Sequence, residues 1–192
     1  MTEQVAGVEE SRAHGPRVVV GVDGSAGARA ALRFALDDAV RRGVPVEAVT
    51  VYRPPEAWMD FDVVGDVHYE RAEAAAVERA EAFVEEVLRE VPEPHPVIHV
   101  TAVLGSAAEG LVRESVGADL LVVGSRGHGG FSSVLLGSTG LQCVLHAPCP
   151  VTVVHSAEAH RERLHLRRRP DGERVRTHRR RFRRARTDSA AP

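Results

Sequence analysis

Lysine is absent from all 192 residues, so each of the 25 basic side chains is an arginine. That excludes the Walker A phosphate loop, whose mechanism depends on its lysine. Cysteine is nearly absent. Cys143 and Cys149 are too few for a disulfide framework, and no basic-then-apolar signal opens the chain, so a reducing cytoplasm is the expected compartment. No apolar run approaches the ~20 residues that a membrane span requires. Catalytic constellations are missing as well: the chain holds no Ser-His-Asp order, no metal-binding histidine pair and no thiol in an activating setting. Cys143, His146, Cys149 and His155 match none of the usual zinc spacings, and a proline on each side of Cys149 works against their convergence on one ion.

What is present divides in two. Residues 1–157 carry 12 arginines against 22 acidic residues, a net charge of −10, whereas residues 158–192 carry 13 against 5, a net of +8. The expected organisation is a leader over 1–16, one domain over 17–156 and an arginine-rich tail over 157–192. With 43% hydrophobic residues, the domain has enough for a core without disulfides or metal. The tail includes Arg167-Arg168-Arg169 and Arg179-Arg180-Arg181, and its dense like charge and few apolar residues give it no core of its own. It is suited to three roles: folding back on the acidic domain, binding nucleic acid or another anionic partner through its charge, or resting on an anionic membrane surface. A solvated extension without a dedicated partner is equally compatible.

Within the domain, strand-like and helix-like runs alternate. Arg17–Val22 reads as a strand buried on both faces. Ser25 is placed to cap a helix whose face is written by Ala28, Ala31, Leu32, Ala35, Leu36 and Ala39 and which stops at Gly43. Val46–Tyr52 is a second strand, followed by Pro54-Pro55 and a segment with Trp58, Met59 and Phe61 that suits either a lid or a surface loop. A long helix from about His68 to Glu90 presents Ala76, Ala80, Phe83, Val84, Val87 and Leu88. Val97–Val103 is a third strand. Ser106-Ala107-Ala108-Glu109 has the form of a capping box opening a helix through Leu111, Val112 and Val116. Leu120–Val123 is the fourth strand, a helix with apolar positions Leu141, Val144 and Leu145 follows, and Val151–His155 is the fifth. Five strands alternating with four helices give an α/β fold with a parallel sheet.

The stretch between the fourth strand and the last helix carries the chemistry. Gly124, Gly127, Gly129 and Gly130 form a glycine loop that ends at Gly137-Ser138-Thr139, where a helix begins. A helix N-terminus has unsatisfied N–H groups and the positive end of the macrodipole, and glycine allows close backbone approach, so the order strand, glycine loop, helix start suits phosphate. The competing reading of the same glycines is a tight, closely packed turn. Asp23, after the first strand, is either a ligand group or an ordinary Asp-Gly-Ser turn residue. Arg126 and His128 either touch an anion or face water.

The spacing Gly124, two residues, Gly127, nine residues, Gly137-Ser138 resembles the loop of the ATP-binding branch of the universal stress protein family. Val18-Val19-Val20-Gly21-Val22-Asp23 resembles that family's first strand, and His146-Ala147-Pro148-Cys149-Pro150 followed by Val151–Val154 resembles its closing helix and strand. The resemblance spans about Arg17 to His155. It implies an open five-stranded parallel sheet with helices on both faces, strand order 3-2-1-4-5, of the adenine nucleotide alpha-hydrolase-like kind. It also implies ATP, with Mg or Mn, as ligand. Backbone groups at Gly127, Gly129, Gly130 and Ser138 and the hydroxyls of Ser138 and Thr139 would hold phosphates, Asp23 the ribose or the cation, and the backbone near Val51 and Val123 the adenine. It further implies a homodimer through the last strand, at Val151 and Val153. The expected function is an ATP-dependent dimeric sensor in the stress response, with at most slow hydrolysis. Two alternatives stand beside it: a nucleotide-free interaction module of the same fold, and a nucleotide-transferring enzyme with a pyrophosphatase loop at Gly24-Ser25, for which Gly21-Val22-Asp23-Gly24 lacks the usual Ser-Gly-Gly start.

Overall fold

The computed structural model describes residues 15–53, 66–127 and 136–156. Nine elements alternate: β1 (Val18–Gly21), α1 (Ala26–Arg42), β2 (Val46–Tyr52), α2 (Asp66–Leu88), β3 (Ile98–Leu104), α3 (Ala107–Glu114), β4 (Leu120–Gly124), α4 (Ser138–His146) and β5 (Val151–Val154). The strands form one parallel sheet in the order β3-β2-β1-β4-β5, as the resemblance implied.

Strand alternation sorts the side chains into two cores. Val18, Val20, Leu120 and Val122 face α1 and α2, while Val19, Leu121 and Val123 face α3 and α4. Both faces of β1 are therefore sealed, and its three valines are fully buried. The α1 face is the one its periodicity forecast, with Ala28, Ala31, Leu32, Ala35, Leu36 and Ala39 all buried. Ser25 accepts a hydrogen bond from the Ala28 amide at 3.1 Å, and Gly43 closes the helix in the left-handed conformation at φ 69°. Ala76, Ala80, Phe83, Val84 and Val87 are buried on α2. Arg29 of α1 lies over the Phe83 ring and pairs with Glu86 and Glu90, tying the two helices together at their outer surface.

Three expectations from the sequence are corrected here. Ser106 has the extended backbone of an N-cap, but its side chain makes no capping hydrogen bond, so the capping box is present in sequence only. Val116 lies beyond the end of α3 at Glu114 and is 48% exposed, so it belongs to no buried helix face. On α4, Leu141, Val144 and Leu145 are all exposed, and the residues turned inward are Gly140 and Cys143. The reason is proximity. A Cβ added at Gly140 would meet the end of the Leu136 side chain and lie in van der Waals contact with the Gly124 carbonyl at 3.6 Å, so α4 passes close over the end of β4 at this residue.

A buried arginine joins the sheet to α3. Arg17 is 6% exposed and donates to the carbonyls of Glu114 at 2.8 Å and Val116 at 3.1 Å, placing its positive charge at the C-terminal end of the helix.

Candidate functional site

β1 and β4 are neighbours, yet α1 leaves β1 toward one face of the sheet and α4 leaves β4 toward the other. The two connections diverge and open a crevice at the carboxyl ends of the strands, the topological switch point at which open α/β sheets bind ligands. A cleft of ≈ 990 Å³ lies there. That is near the upper end of the roughly 300–1,000 Å³ typical of small-molecule sites. Of the residues singled out in the sequence, Asp23, Val51, Val123, Gly124, Gly127, Gly137, Ser138 and Thr139 all line it. Gly129 and Gly130, like His128 and the Trp58–Phe61 segment, lie outside the described residues.

The motif glycines have distinct reasons to be glycine. Gly124 abuts Gly27 in the first turn of α1: a Cβ on Gly124 would lie 2.6 Å from the Gly27 carbonyl carbon, and a Cβ on Gly27 would overlap the Arg126 carbonyl oxygen. This is backbone on backbone, and it fixes how closely α1 approaches the end of β4. Gly127 lies under a carboxylate, since a Cβ there would collide with Oδ2 of Asp23. Gly137 has no such reason. Its backbone, at φ −64° and ψ 160°, suits any residue, and among the described residues an added Cβ would meet nothing closer than the Ser125 carbonyl oxygen at 3.7 Å.

The donors at the start of α4 are correspondingly redistributed. The Gly137 amide is taken by the Ser125 carbonyl at 2.9 Å, so this residue contributes space rather than a donor. Ser138, Thr139 and Gly140 follow in the first turn, where N–H groups have no acceptor within the helix, and no side chain among the described residues caps this end. Asp23 accepts from the Ser25 amide at 2.9 Å through Oδ1, which is the turn chemistry expected of Asp-Gly-Ser, and the residue also lines the cleft.

Sequence reasoning missed several lining residues. Ala107 and Leu111 of α3, with Val49 and Val51, make one end of the cleft apolar; Leu136 and Leu141 flank the other. Arg53 also lines it, anchored by its Nε to the Gly105 carbonyl at 3.1 Å.

The cleft is lined by the first turn of α4, by the carboxylate-bearing Asp23 and by two arginines, Arg53 and Arg126. Among the described residues, no group of three or more His, Cys, Asp or Glu side chains is arranged to hold a metal ion. Neither thiol is activated: burial pushes Cys143 up to about 11 and raises Cys149 as well.

The family profile of the universal stress proteins matches residues 16–155. The chain belongs to the universal stress protein family. A universal stress protein of Mycobacterium bovis is 38% identical over 148 residues, covering 75% of this chain and 46% of that protein. One from Mycobacterium tuberculosis is 36% identical over 142 residues, covering 73% and 45%. The chain thus spans about half the length of the curated relatives it matches. Among solved structures, a universal stress protein in complex with cAMP superposes with a TM-score of 0.51 at 25% identity, covering 76% of this chain and 99% of that one. The Lactobacillus plantarum universal stress protein superposes with a TM-score of 0.56 at 24% identity over 74% of this chain and 98% of that one, a likeness of fold. No helix among the described residues is long and apolar enough to cross a membrane.

Proposed function

We propose that this universal stress protein is an ATP-binding regulatory protein of the stress response, acting as a nucleotide-dependent dimeric sensor. The observation that carries the reading is Gly137: neither its backbone conformation nor packing against the described residues asks for glycine there, and Gly137 lines the cleft beside the first-turn amides of α4. A phosphate chain in that space meets the Ser138, Thr139 and Gly140 amides, the hydroxyls of Ser138 and Thr139, and the positive end of the helix dipole. Gly127, Gly129 and Gly130 belong to the same cradle on this reading, and Gly124 holds its floor against α1. Asp23 takes the ribose hydroxyls or a magnesium or manganese ion. Magnesium is commonly held by one or two carboxylates together with substrate phosphates, so one aspartate suffices. The adenine rests near Val51 and Val123. The cAMP bound by a relative of the same fold supports an adenine nucleotide as the ligand class.

Turnover is at most slow, because phosphoryl transfer needs a positioned attacking group, and no described residue is arranged as one. The direct test is to denature freshly purified full-length protein and identify released small molecules by mass spectrometry. An adenine nucleotide near one equivalent is expected. A clean spectrum, together with capture of a protein partner, would favour the nucleotide-free interaction module instead.

Dimerisation through β5 is part of the proposal. Among the described residues this strand is the edge of the sheet, paired with β4 alone, all four of its residues are partly exposed, and Leu141, Val144 and Leu145 of α4 add exposed apolar surface. Val153→Lys places a charge in the joint, and sedimentation is expected to shift from dimer to monomer at micromolar protein. A variant as dimeric as wild type would exclude β5 as the joint.

The arginine-rich tail over 157–192 is proposed to bind nucleic acid or another anionic partner. DNA binding that weakens steeply with salt and is lost on truncation after His155 is expected, and binding that survives truncation would reject it.

A further inference from the structure

The cleft has an order imposed by the sheet. Ser138 and Gly127 lie over β4, Asp23 at the end of β1, and Val51 at the end of β2, in three adjacent strands about 4.8 Å apart. A nucleotide with its phosphates at α4 and its ribose at Asp23 therefore has its base at the β2 end, over Val49, Val51 and Leu111. Arg53, one residue past β2, lines that same end.

Arg53 is held, but only in part. Its Nε donates to the Gly105 carbonyl at 3.1 Å, and no other hydrogen bond or ion pair among the described residues engages its two terminal nitrogens. Other arginines of the domain are spent on carboxylates: Arg29 and Arg33 on Glu90, Arg41 and Arg42 on Asp38, Arg89 on Glu85. Gly105 is itself fixed, its amide donating to the Tyr52 carbonyl at 3.0 Å, so the anchor for Arg53 is a continuation of the β2–β3 ladder. The result is an oriented guanidinium fork with donors to offer at the base end of the cleft.

A guanidinium only donates. On the N7 edge, adenine presents one acceptor and an amino group, whereas guanine presents two adjacent acceptors, N7 and O6, which match the fork. Resting on the proposed nucleotide reading of this cleft, we infer that Arg53 is its base-specificity residue and that the site takes guanine nucleotides at least as readily as adenine nucleotides. The phosphate and ribose contacts of the cradle are common to both bases. Arg53 supplies the discrimination, and the apolar floor supplies the stacking surface.

The test is a set of calorimetric titrations of the full chain with ATP and with GTP, on wild type, Arg53→Leu and Arg53→Lys. Leucine keeps the apolar stem and removes every donor; lysine keeps a charge able to reach the Gly105 carbonyl but lacks the fork. Wild type is expected to bind GTP within about 3-fold of ATP or tighter. Arg53→Leu and Arg53→Lys are both expected to lose roughly 10-fold or more for GTP while changing ATP affinity by less than about 3-fold, the scale of one lost bidentate pair. Wild type that binds ATP but not GTP, or variants in which both nucleotides weaken equally, would overturn the role of Arg53 and leave the nucleotide site standing. Binding of neither nucleotide by folded wild type would overturn both.

Discussion

Gly27→Ala is expected to melt about 10 °C below wild type, and Gly124→Ala to fall by a comparable amount. In each case the new methyl group has no rotamer to escape through, because what it meets is backbone: the Arg126 carbonyl in one variant, the Gly27 carbonyl carbon in the other. The fold must separate α1 from the end of β4, disturbing a contact beside the fully buried Val122 and Ala31. Overpacking of this kind costs on the order of 3 kcal/mol. For a domain of this size each kcal/mol shifts the melting temperature by roughly 3–4 °C. Ala30→Gly, on the same helix, supplies a comparison, since it removes a methyl group and costs only about 1 kcal/mol through helix propensity. If thermal denaturation shows Gly27→Ala within 2 °C of wild type, the Gly27–Gly124 contact is not the close approach described here.

Gly137→Ser is expected to do the opposite: leave the fold intact and weaken ATP binding by at least about 10-fold. Serine is among the preferred N-cap residues, and Gly137 already has the extended backbone of a cap, so stability should be unchanged or higher by a few tenths of a kcal/mol. The new hydroxyl, however, accepts from the first-turn amides of α4. It would satisfy the donors that the phosphates are proposed to use and occupy the space beside them. Loss of one charge-assisted hydrogen bond is worth about 1.5–3 kcal/mol, hence roughly 10- to 100-fold in affinity. A stabilised variant with undiminished ATP binding would mean that the amides of this helix do not hold the ligand. Together the two glycine variants separate a packing role from a ligand role within one motif.

That separation was not legible in the sequence, where all the glycines of the loop look alike. The partner of Gly124 is Gly27, nearly a hundred positions earlier, and nothing local announces that two backbones from different elements meet there. The α4 face was misread for a related reason. Leu141, Val144 and Leu145 have helical spacing and the bulk of core residues, but Gly140 and Cys143 are the residues that turn inward, where α4 passes close to the end of β4, and the large residues are on the surface. By contrast, α1 was readable in detail. Its environment is mostly its own periodicity, its cap residue Ser25 and its terminator Gly43, all local features. The strands were readable because a sheet covered on both faces demands continuous β-branched runs such as Val18-Val19-Val20. The strand order lay outside periodicity and came only with the family resemblance. Arg53 was passed over because its significance depends on Gly105, which the β2–β3 register brings beside it.

The measurement that bears most directly on the account is isothermal titration of full-length, folded wild-type protein with ATP in the presence of magnesium. The account predicts saturable heat with a dissociation constant in the micromolar range, about −8 kcal/mol at 1 µM. Absence of heat up to about 1 mM ATP, where even a −4 kcal/mol interaction would begin to register, would contradict it.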